Sequence, residues 1–181
     1  MNFIVYDLEA TCWPNRPSSL KQEIIEIGAY RLTGEGEVTG SFQAFVRPIV
    51  HPMLSPFCRE LTGITQPQVN SADKWPEVHD DFLDFIGYYD DEEYLLCAWG
   101  GWDAKQLAKD SRLHGLDDDW TAPSIDCKRQ YARIKRLKKP YGLAKSLRLE
   151  GYEWEGDQHR AIDDARNLVK LFGAYLDEWA Y

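Results

Sequence analysis

Two acidic residues, Asp7 and Glu9, end an apolar run that begins at Phe3 near the N-terminus. The small residues Ala10 and Thr11 follow them at once. Because side chains alternate between the two faces of an extended chain, Asp7 and Glu9 project from the same face of the predicted strand. Neighbouring carboxylates repel one another unless a cation lies between them, and hard oxygen ligands of this kind suit Mg²⁺ or Mn²⁺. The pair therefore indicates a divalent-metal site; the alternative is a strand end whose acids point into water.

A third acid, Asp103, follows a second buried strand, which is predicted over 94–99. Gly100 and Gly101 lie between this strand and the acid, and glycine permits close approach of the backbone to a ligand. Open α/β folds place their sites at the carboxyl ends of strands, so we expect the Asp103 carboxylate at the edge of the sheet. The alternative is an acid that merely favours the first turn of a helix through the helix dipole.

The last predicted helix, from about 159 to 179, contains two adjacent acids that helical geometry separates. Asp163 shares a face with four polar residues, Arg160, Arg166, Asn167 and Lys170. Asp164 shares a face with three apolar residues that must pack on the sheet, Ala161, Leu168 and Leu171. A carboxylate on a buried stripe is costly unless it is paired or bound to a metal. Asp164 is therefore the functional candidate, and Asp163 is predicted to lie on the surface.

His159 lies at or before the start of that helix, five residues ahead of Asp164. An imidazole, with an unperturbed pKa of about 6.5, is suited to accept a proton from water. The alternative is a histidine that is structural or merely exposed. Its place ahead of the one acid on the buried stripe favours a general base.

Asp7-x-Glu9, Asp103 and His159-x-x-x-x-Asp164 occur in the order of the motifs of the DEDDh exonucleases, and the chain resembles that 3′-to-5′ exonuclease superfamily, which has a ribonuclease H-like fold. Five stretches resemble more narrowly the branch typified by the 3′ histone mRNA exonuclease: Asp7-Leu-Glu-Ala-Thr-Cys12, Glu23-Ile-Ile-Glu-Ile-Gly28, Leu61-Thr-Gly-Ile-Thr-Gln66, Gly101-Trp-Asp103 and His159-Arg-Ala-Ile-Asp-Asp-Ala-Arg-Asn167. Trp99 stands where the wider superfamily usually has asparagine, which favours this branch.

The resemblance implies a metal-binding set for two Mg²⁺ ions, with Mn²⁺ as an alternative: Asp7, Glu9, Asp103 and Asp164. It implies two catalytic residues, Glu9 and His159, the second as general base. It also implies a substrate-binding pocket for the terminal nucleotide, lined by Glu9, Ala10, Thr11 and His159.

The same resemblance implies an enzyme that hydrolyses nucleic acid from the 3′ end to nucleoside 5′-monophosphates. Its partners are expected to be single-stranded RNA or DNA 3′ ends, with RNA favoured. Two alternatives stay open: a DNA-directed 3′-to-5′ exonuclease of repair or proofreading, and a nucleic-acid-binding adaptor that keeps the fold but does not cleave. The adaptor leaves the presence of all the polar site residues unexplained.

The hydrophobic pattern predicts the elements that position these residues. After the opening strand, runs over 23–32 and 38–46 with short links predict an antiparallel meander. Helices are predicted over 55–61, 75–86, 102–115 and 141–149, and a short strand over 125–127. This order indicates an α/β fold, and with the resemblance a ribonuclease H-like fold with a mixed five-stranded sheet and helices packed on both faces. We expect one domain over 1–181, with an irregular loop over 13–19.

The composition fits one globular domain, because 44% of the 181 residues are hydrophobic and 13% are aromatic. The formal net charge of −9 argues against a protein that coats nucleic acid, since such binding depends on neutralising phosphates. Seven of the 21 basic residues nevertheless fall between Lys128 and Lys139, where a basic helix is predicted. That stretch is predicted to guide the incoming strand, the alternative being a solvated helix face.

The four cysteines are far apart, without a Cys-x-x-Cys pair or a histidine at zinc-finger spacing, so we expect reduced, buried thiols. No stretch approaches the roughly 18 apolar residues of a membrane span, and the N-terminus lacks the layout of a signal peptide. We therefore expect a cytoplasmic protein without a membrane partner. The oligomeric state stays open, since Trp179 and Tyr181 suit packing on the domain or on a second copy.

Overall fold

The computed structural model describes residues 1–15 and 19–181, so the loop predicted over 13–19 falls partly outside the described residues. The strands are Asn2–Ala10 (β1), Ile24–Leu32 (β2), Val38–Phe45 (β3), Tyr94–Ala98 (β4) and Ser124–Asp126 (β5). They form one sheet in the order β3-β2-β1-β4-β5. The β1–β2 and β2–β3 pairs are antiparallel, whereas β1–β4 and β4–β5 are parallel. The predicted mixed five-stranded sheet is confirmed, and the strand that carries Asp7 and Glu9 is its central strand.

The described ranges contain seven α-helices: Pro56–Thr62 (α1), Gln66–Ser71 (α2), Trp75–Ile86 (α3), Trp102–Leu113 (α4), Cys127–Ile134 (α5), Leu143–Leu149 (α6) and Ala161–Ala174 (α7). Local signals explain where they begin. The Ser55 hydroxyl caps α1 by accepting a hydrogen bond from the Cys58 N–H, and Pro56 occupies the first turn. Within these ranges, no helix has both the length and the apolar character needed to cross a membrane.

Two helices are shorter than the sequence predicts. The last helix ends at Ala174, and the chain continues as a 3₁₀ turn over Leu176–Glu178. The basic helix ends at Ile134, and Arg136 adopts a left-handed φ of 51°. Basic residues continue past Ile134, and apolar residues continue past Ala174. Periodicity in the sequence therefore does not mark where either helix ends.

The two C-terminal aromatic residues explain why the apolar pattern continues. The Trp179 indole N–H donates to the Phe172 carbonyl at 2.9 Å, and the two rings stack with centroids 5.6 Å apart. Tyr181 stacks on Phe3 with a centroid distance of 4.9 Å. Of the two arrangements that the sequence left open, the structure shows packing on the chain's own domain.

The central strand β1 separates two hydrophobic cores. Ile4, Tyr6 and Leu8 join the core that contains the buried face of α3, whereas Phe3 and Val5 join the core that contains α7. Helices therefore pack on both faces of the sheet, as predicted. Because side chains alternate, the α7 side of β1 is also the side on which Asp7 and Glu9 project.

α7 lies unusually close to the sheet at Gly28 of β2. A Cβ atom built on Gly28 would lie 2.2 Å from the backbone nitrogen of Ile162 and 2.4 Å from the carbonyl carbon of Ala161. Gly28 is also the residue that pairs with Asp7 across β1 and β2. The absence of a side chain at this one position therefore lets the first turn of α7 approach the strand that carries Asp7.

Candidate active site

The structure brings three of the predicted metal-binding residues together. One carboxylate oxygen from each of Asp7, Glu9 and Asp164 lies within 4.8 Å of the others. Asp7 and Glu9 come from the carboxyl-terminal half of β1, and Asp164 comes from the first turn of α7. The strand alternation and the helix stripe thus converge on one group of acids.

Asp164 is held by the start of its own helix. The backbone N–H groups of His159 and Arg160 donate to its carboxylate. Its Oδ2 atom is buried and has no hydrogen-bond partner among the described residues. A buried carboxylate oxygen without a donor is costly unless a cation or another donor reaches it.

Asp103, the fourth predicted ligand, lies in the first turn of α4 and is only 6% exposed. Its carboxylate accepts a hydrogen bond from the Leu8 backbone N–H, which ties α4 to β1. It is outside the group of three, but its charge is the largest charge contribution to the raised pKa of Asp7. Asp126, which the sequence did not single out, caps α5 and also raises the pKa of Asp103.

The four acids have raised pKa values, mainly because burial disfavours their charged forms. Burial raises the pKa of Glu9 to about 8, that of Asp103 to about 7 and that of Asp164 to about 6. Burial and then the charges of Asp103, Asp164 and Glu9 raise the pKa of Asp7 well above its usual value. None of the four forms an ion pair with a lysine or arginine in the described part of the chain. Oxygen ligands with uncompensated charge fit a hard divalent cation such as Mg²⁺ or Mn²⁺.

His159 is exposed and adopts a left-handed backbone conformation with φ of 63°. Non-glycine residues rarely adopt this conformation, and histidine is among those that do so more often. The turn directs its backbone N–H to the Asp164 carboxylate, and the residue itself is exposed to solvent. The base role predicted for it stays a prediction.

Ala10 and Thr11, predicted to line a substrate pocket, are almost fully buried. The Thr11 hydroxyl accepts a hydrogen bond from the Glu23 N–H at 3.0 Å, and the Thr11 N–H donates to the Glu23 carbonyl at 2.9 Å. These bonds fix the end of β1 against the residue that precedes β2. The substrate contact of this pair stays a prediction, and the structure adds an anchoring role for Thr11.

Glu26 is a site residue that sequence reasoning missed. Its side chain is fully buried on β2, where Glu26 pairs with Glu9 of β1. It accepts hydrogen bonds from the Arg160 guanidinium at 3.0 and 3.1 Å and from the Ala161 N–H at 3.1 Å. Glu26 therefore fixes the segment between His159 and α7. A lone acid within the apolar run of β2 was the signal, because a buried charge requires a partner.

The face of α7 that contains Asp163 is not the open solvent face that the sequence predicted. Asn167 is fully buried, and its side chain bonds the Glu155 backbone through both its amide group, at 2.7 Å, and its oxygen, at 3.1 Å. Asp163 is half-buried, pairs with Arg166 at 3.0 Å and accepts from the Asp157 N–H at 3.0 Å. The preceding loop covers this face, so its polar side chains hold the loop. Asp163 is outside the acid group, in agreement with the choice of Asp164.

Comparisons with known proteins agree with the exonuclease resemblance of the sequence. The RNase_T family, described as Exonuclease, matches residues 4–172. ERI1 exoribonuclease 2 of Homo sapiens is 36% identical over 197 residues, which covers 93% of this chain and 27% of that protein. The 3′-5′ exoribonuclease 1 of Mus musculus is 32% identical over 174 residues, which covers 92% of this chain and 50% of that protein. The chain thus spans no more than half the length of these curated relatives.

Solved structures show the same similarity in three dimensions. The nuclease domain of 3′hExo, a DEDDh family member bound to rAMP, has a TM-score of 0.90 at 30% sequence identity. The match covers 97% of this chain and 92% of that chain. Cell-death related nuclease 4 shares the fold with a TM-score of 0.85 at 17% identity, covering 97% of this chain and 64% of that chain.

Proposed function

This chain belongs to the RNase_T exonuclease family, and from that premise we propose that it is a Mg²⁺-dependent 3′-to-5′ exonuclease acting on single-stranded RNA. The observation that carries the proposal is the group of carboxylates from Asp7, Glu9 and Asp164, whose charge no ion pair of the described residues offsets. Buried carboxylates without ion pairs repel one another, and bound divalent ions would offset this repulsion at the centre of the sheet.

Asp7, Glu9 and Asp164 would hold the metal ions, and Asp103 would be the fourth acid of the site. When bound, the ions supply positive charge that activates a water molecule and neutralises the transition state of phosphodiester hydrolysis. Two ions fit a donor set of four acids, with Mg²⁺ first and Mn²⁺ as the substitute. The unpartnered Oδ2 atom of Asp164 supports this assignment.

The chain's own residues bind the strand end and move the proton. An imidazole nitrogen of His159 accepts the proton that the attacking water loses. As the water oxygen bonds to phosphorus, the bond to the 3′ oxygen of the preceding nucleotide breaks, and that oxygen takes up a proton. The products are a nucleoside 5′-monophosphate and a strand one nucleotide shorter. Glu9 and Ala10 contact the terminal nucleotide, and Thr11 keeps the end of β1 fixed beneath it.

RNA is the favoured substrate because the relatives are named exoribonucleases and one similar structure contains rAMP. A DNA-directed 3′-to-5′ exonuclease would use the same acids and differ only in its substrate. An adaptor that binds without cleaving would have no use for four acids that raise one another's pKa values.

A panel of labelled substrates tests this proposal. Single-stranded RNA, duplex RNA with a 3′ overhang and single-stranded DNA, each labelled at the 5′ end, are incubated with the protein in Mg²⁺. We expect stepwise shortening from the 3′ end, fastest on single-stranded RNA and stopped by EDTA. Internal cuts, or binding in Ca²⁺ without any turnover in Mg²⁺, would overturn it.

Replacing His159 by alanine is expected to lower kcat by about 10²- to 10⁴-fold, because the attacking water then lacks a base. Strand affinity should fall much less than kcat, because the substitution removes one of several groups expected to line the terminal-nucleotide pocket and keeps the backbone link to Asp164. Single-turnover cleavage and strand binding in Ca²⁺ measure the two quantities. His114→Ala, which alters a histidine at the far end of α4, is the matched control and should keep wild-type activity. Equal rates for the two variants would remove His159 from the mechanism.

Replacing Glu26 by glutamine is expected to lower kcat by about 10- to 100-fold, the range seen when groups that orient a site are removed. A neutral amide cannot accept from both the Arg160 guanidinium and the Ala161 N–H as the carboxylate does, so the His159 turn loosens. KM should change little, because Glu26 is buried behind the site. Steady-state kinetics separates the two constants. Glu92→Gln, which breaks the partly exposed pair with Arg31, is the control; equal losses in both variants would contradict a positioning role.

A further inference from the structure

The outer face of α4 is basic although the protein as a whole carries a net charge of −9. Lys105, Lys109 and Arg112 follow one another at steps of four and three residues, so they lie within an arc of about 60° on the helix. All three are exposed, whereas Asp103, Leu107 and other members of the opposite face are buried. We call these three residues the basic face of α4.

The basic face begins at the end of α4 that carries Asp103, although Asp103 itself projects from the opposite, buried side of the helix. Asp103 lies in the first turn of α4, and the neighbouring Trp102 is 38% exposed on the same side as Lys105. The helix has 12 residues and is therefore about 18 Å long. A chain that left the acid group along α4 would pass an aromatic ring first and the two lysines next.

Open hollows flank the basic face on both sides. One, of about 530 Å³, is lined by Trp102, Lys105 and Arg129, and also by Asp126. The other, of about 440 Å³, is lined by Lys109, Arg112 and Lys21, and also by Asp110. Basic side chains therefore contribute to the lining of both hollows. The hollows leave room for a flexible polyanion beside the helix.

The lysines of this surface form no ion pair within the part of the chain that the structure describes. Lys21, Lys105 and Lys109 form no ion pair with any described residue, while Arg112 pairs with Asp118. In the basic stretch predicted to guide the strand, Arg129 pairs with Asp126 and Lys135 pairs with Glu150, while the other five basic residues likewise form no ion pair with a described residue. Lysines that form no ion pair and lie near an acidic site are available to bind the phosphates of the substrate strand.

We propose that the strand preceding the 3′ end lies along the basic face of α4, with its phosphates bound by Lys105 and Lys109. The occupant is a single-stranded nucleic acid of any sequence, because lysine recognises phosphate as a point charge and reads no base. This surface offsets the repulsion between the negative protein and its polyanionic substrate. The proposal rests on the proposed function, since it takes the acid group as the place where the 3′ end binds.

The test uses the double variant Lys105→Ala/Lys109→Ala, with Lys145→Ala/Arg148→Ala as a control that removes the same charge from two exposed residues of α6. Binding of a fluorescent single-stranded oligoribonucleotide is measured in Ca²⁺ over a series of salt concentrations. Each phosphate contact contributes about 0.7 to the slope of log K against log salt. We expect the slope of the α4 variant to fall by about 1.4 and its affinity to weaken, while the control keeps both wild-type values.

Cleavage of a dinucleotide is measured beside binding, because this substrate is too short to reach along α4. The α4 variant should cleave it at the wild-type rate and should lose activity only on longer strands. Equal slopes for wild type and the α4 variant, or equal losses in the two double variants, would overturn the surface proposal. A wild-type protein that shows the expected slopes but shortens no strand would instead overturn the proposed function.

Discussion

Replacing Asp7 by asparagine is expected to abolish strand shortening and, in metal-free buffer, to raise the melting temperature. Activity is lost because Asp7 lies in the group of acids proposed to hold the metal ions. Stability rises because the substitution removes one charge from a buried group whose members repel one another. An increase of at least about 2 °C is expected, which corresponds to roughly 1 kcal/mol for a domain of this size.

The stability difference should depend on pH in a defined direction. An unfolded aspartate has a pKa of about 3.9, and burial and neighbouring acids raise the pKa of Asp7 above this value in the folded protein. Above pH 4 the folded state therefore binds more protons than the unfolded state, so the stability of the metal-free wild type falls as pH rises. The Asn variant lacks this contribution, and its advantage in melting temperature should be larger at pH 8 than at pH 5.5.

Thermal unfolding in EDTA and in Mg²⁺ measures these effects. Mg²⁺ should stabilise the wild type by binding only the folded state and should stabilise the Asp7→Asn variant less. Asp163→Asn is the matched control, since Asp163 is an acid in the first turn of α7 that lies outside the group formed by Asp7, Glu9 and Asp164. That control should stay active. An Asp7→Asn protein with wild-type turnover, or one that melts below the wild type in EDTA, would contradict the metal site.

Replacing Gly28 by alanine is expected to destabilise the protein by about 3 kcal/mol, at the upper end of the usual cost of overpacking. The atoms that a Cβ would meet, at 2.2 and 2.4 Å, belong to the backbone of α7 and cannot rotate away. The helix must therefore move off the sheet. Because Gly28 pairs with Asp7, this movement increases the distance between Asp164 and Asp7, and Mg²⁺ affinity should fall with stability.

Melting temperature and its increase on addition of Mg²⁺ measure both losses for Gly28→Ala. Gly173→Ala is the control within the same helix, because nothing lies within 4 Å of a Cβ at that position. Alanine in a helix interior is favoured over glycine by about 0.5–1 kcal/mol, so the control should be slightly more stable than the wild type. A Gly28→Ala protein with wild-type stability and an unchanged response to Mg²⁺ would show that the close approach of α7 is dispensable.

Periodicity was sufficient to choose the acids that the structure brings together. Alternation along one strand placed Asp7 and Glu9 on one face, and the 3.6-residue repeat separated Asp164 from Asp163. Both arguments work because the apolar partners of these residues are close in sequence. The position of Asp103 needed a different rule, the tendency of α/β sheets to carry functional groups at strand ends.

The residues that were missed or misplaced owe their positions to distant partners. Glu26 is buried because Arg160, which is 134 residues away, lies beside it. Asn167 is buried because the loop at Glu155 folds over the helix. A hydrophobic pattern counts every polar residue as exposed, so it cannot distinguish a solvated face from one covered by a polar loop. The base role predicted for His159 comes from its position ahead of Asp164 and from the resemblance, whereas the substrate contacts predicted for Ala10 and Thr11 come from the resemblance alone.

The central position of β1 has a consequence for how the chain folds as it is synthesised. Among the described elements β1 is synthesised before the others, yet it pairs with β4, which follows three α-helices, and packs under α7, the last of the seven α-helices. Until α7 emerges, the apolar face of β1 is uncovered and Asp7 has no Asp164 beside it. Contacts between such distant segments slow folding, because long loops must close first. The acid group is thus completed only when α7 docks, so an incomplete chain holds Asp7 and Glu9 without Asp164.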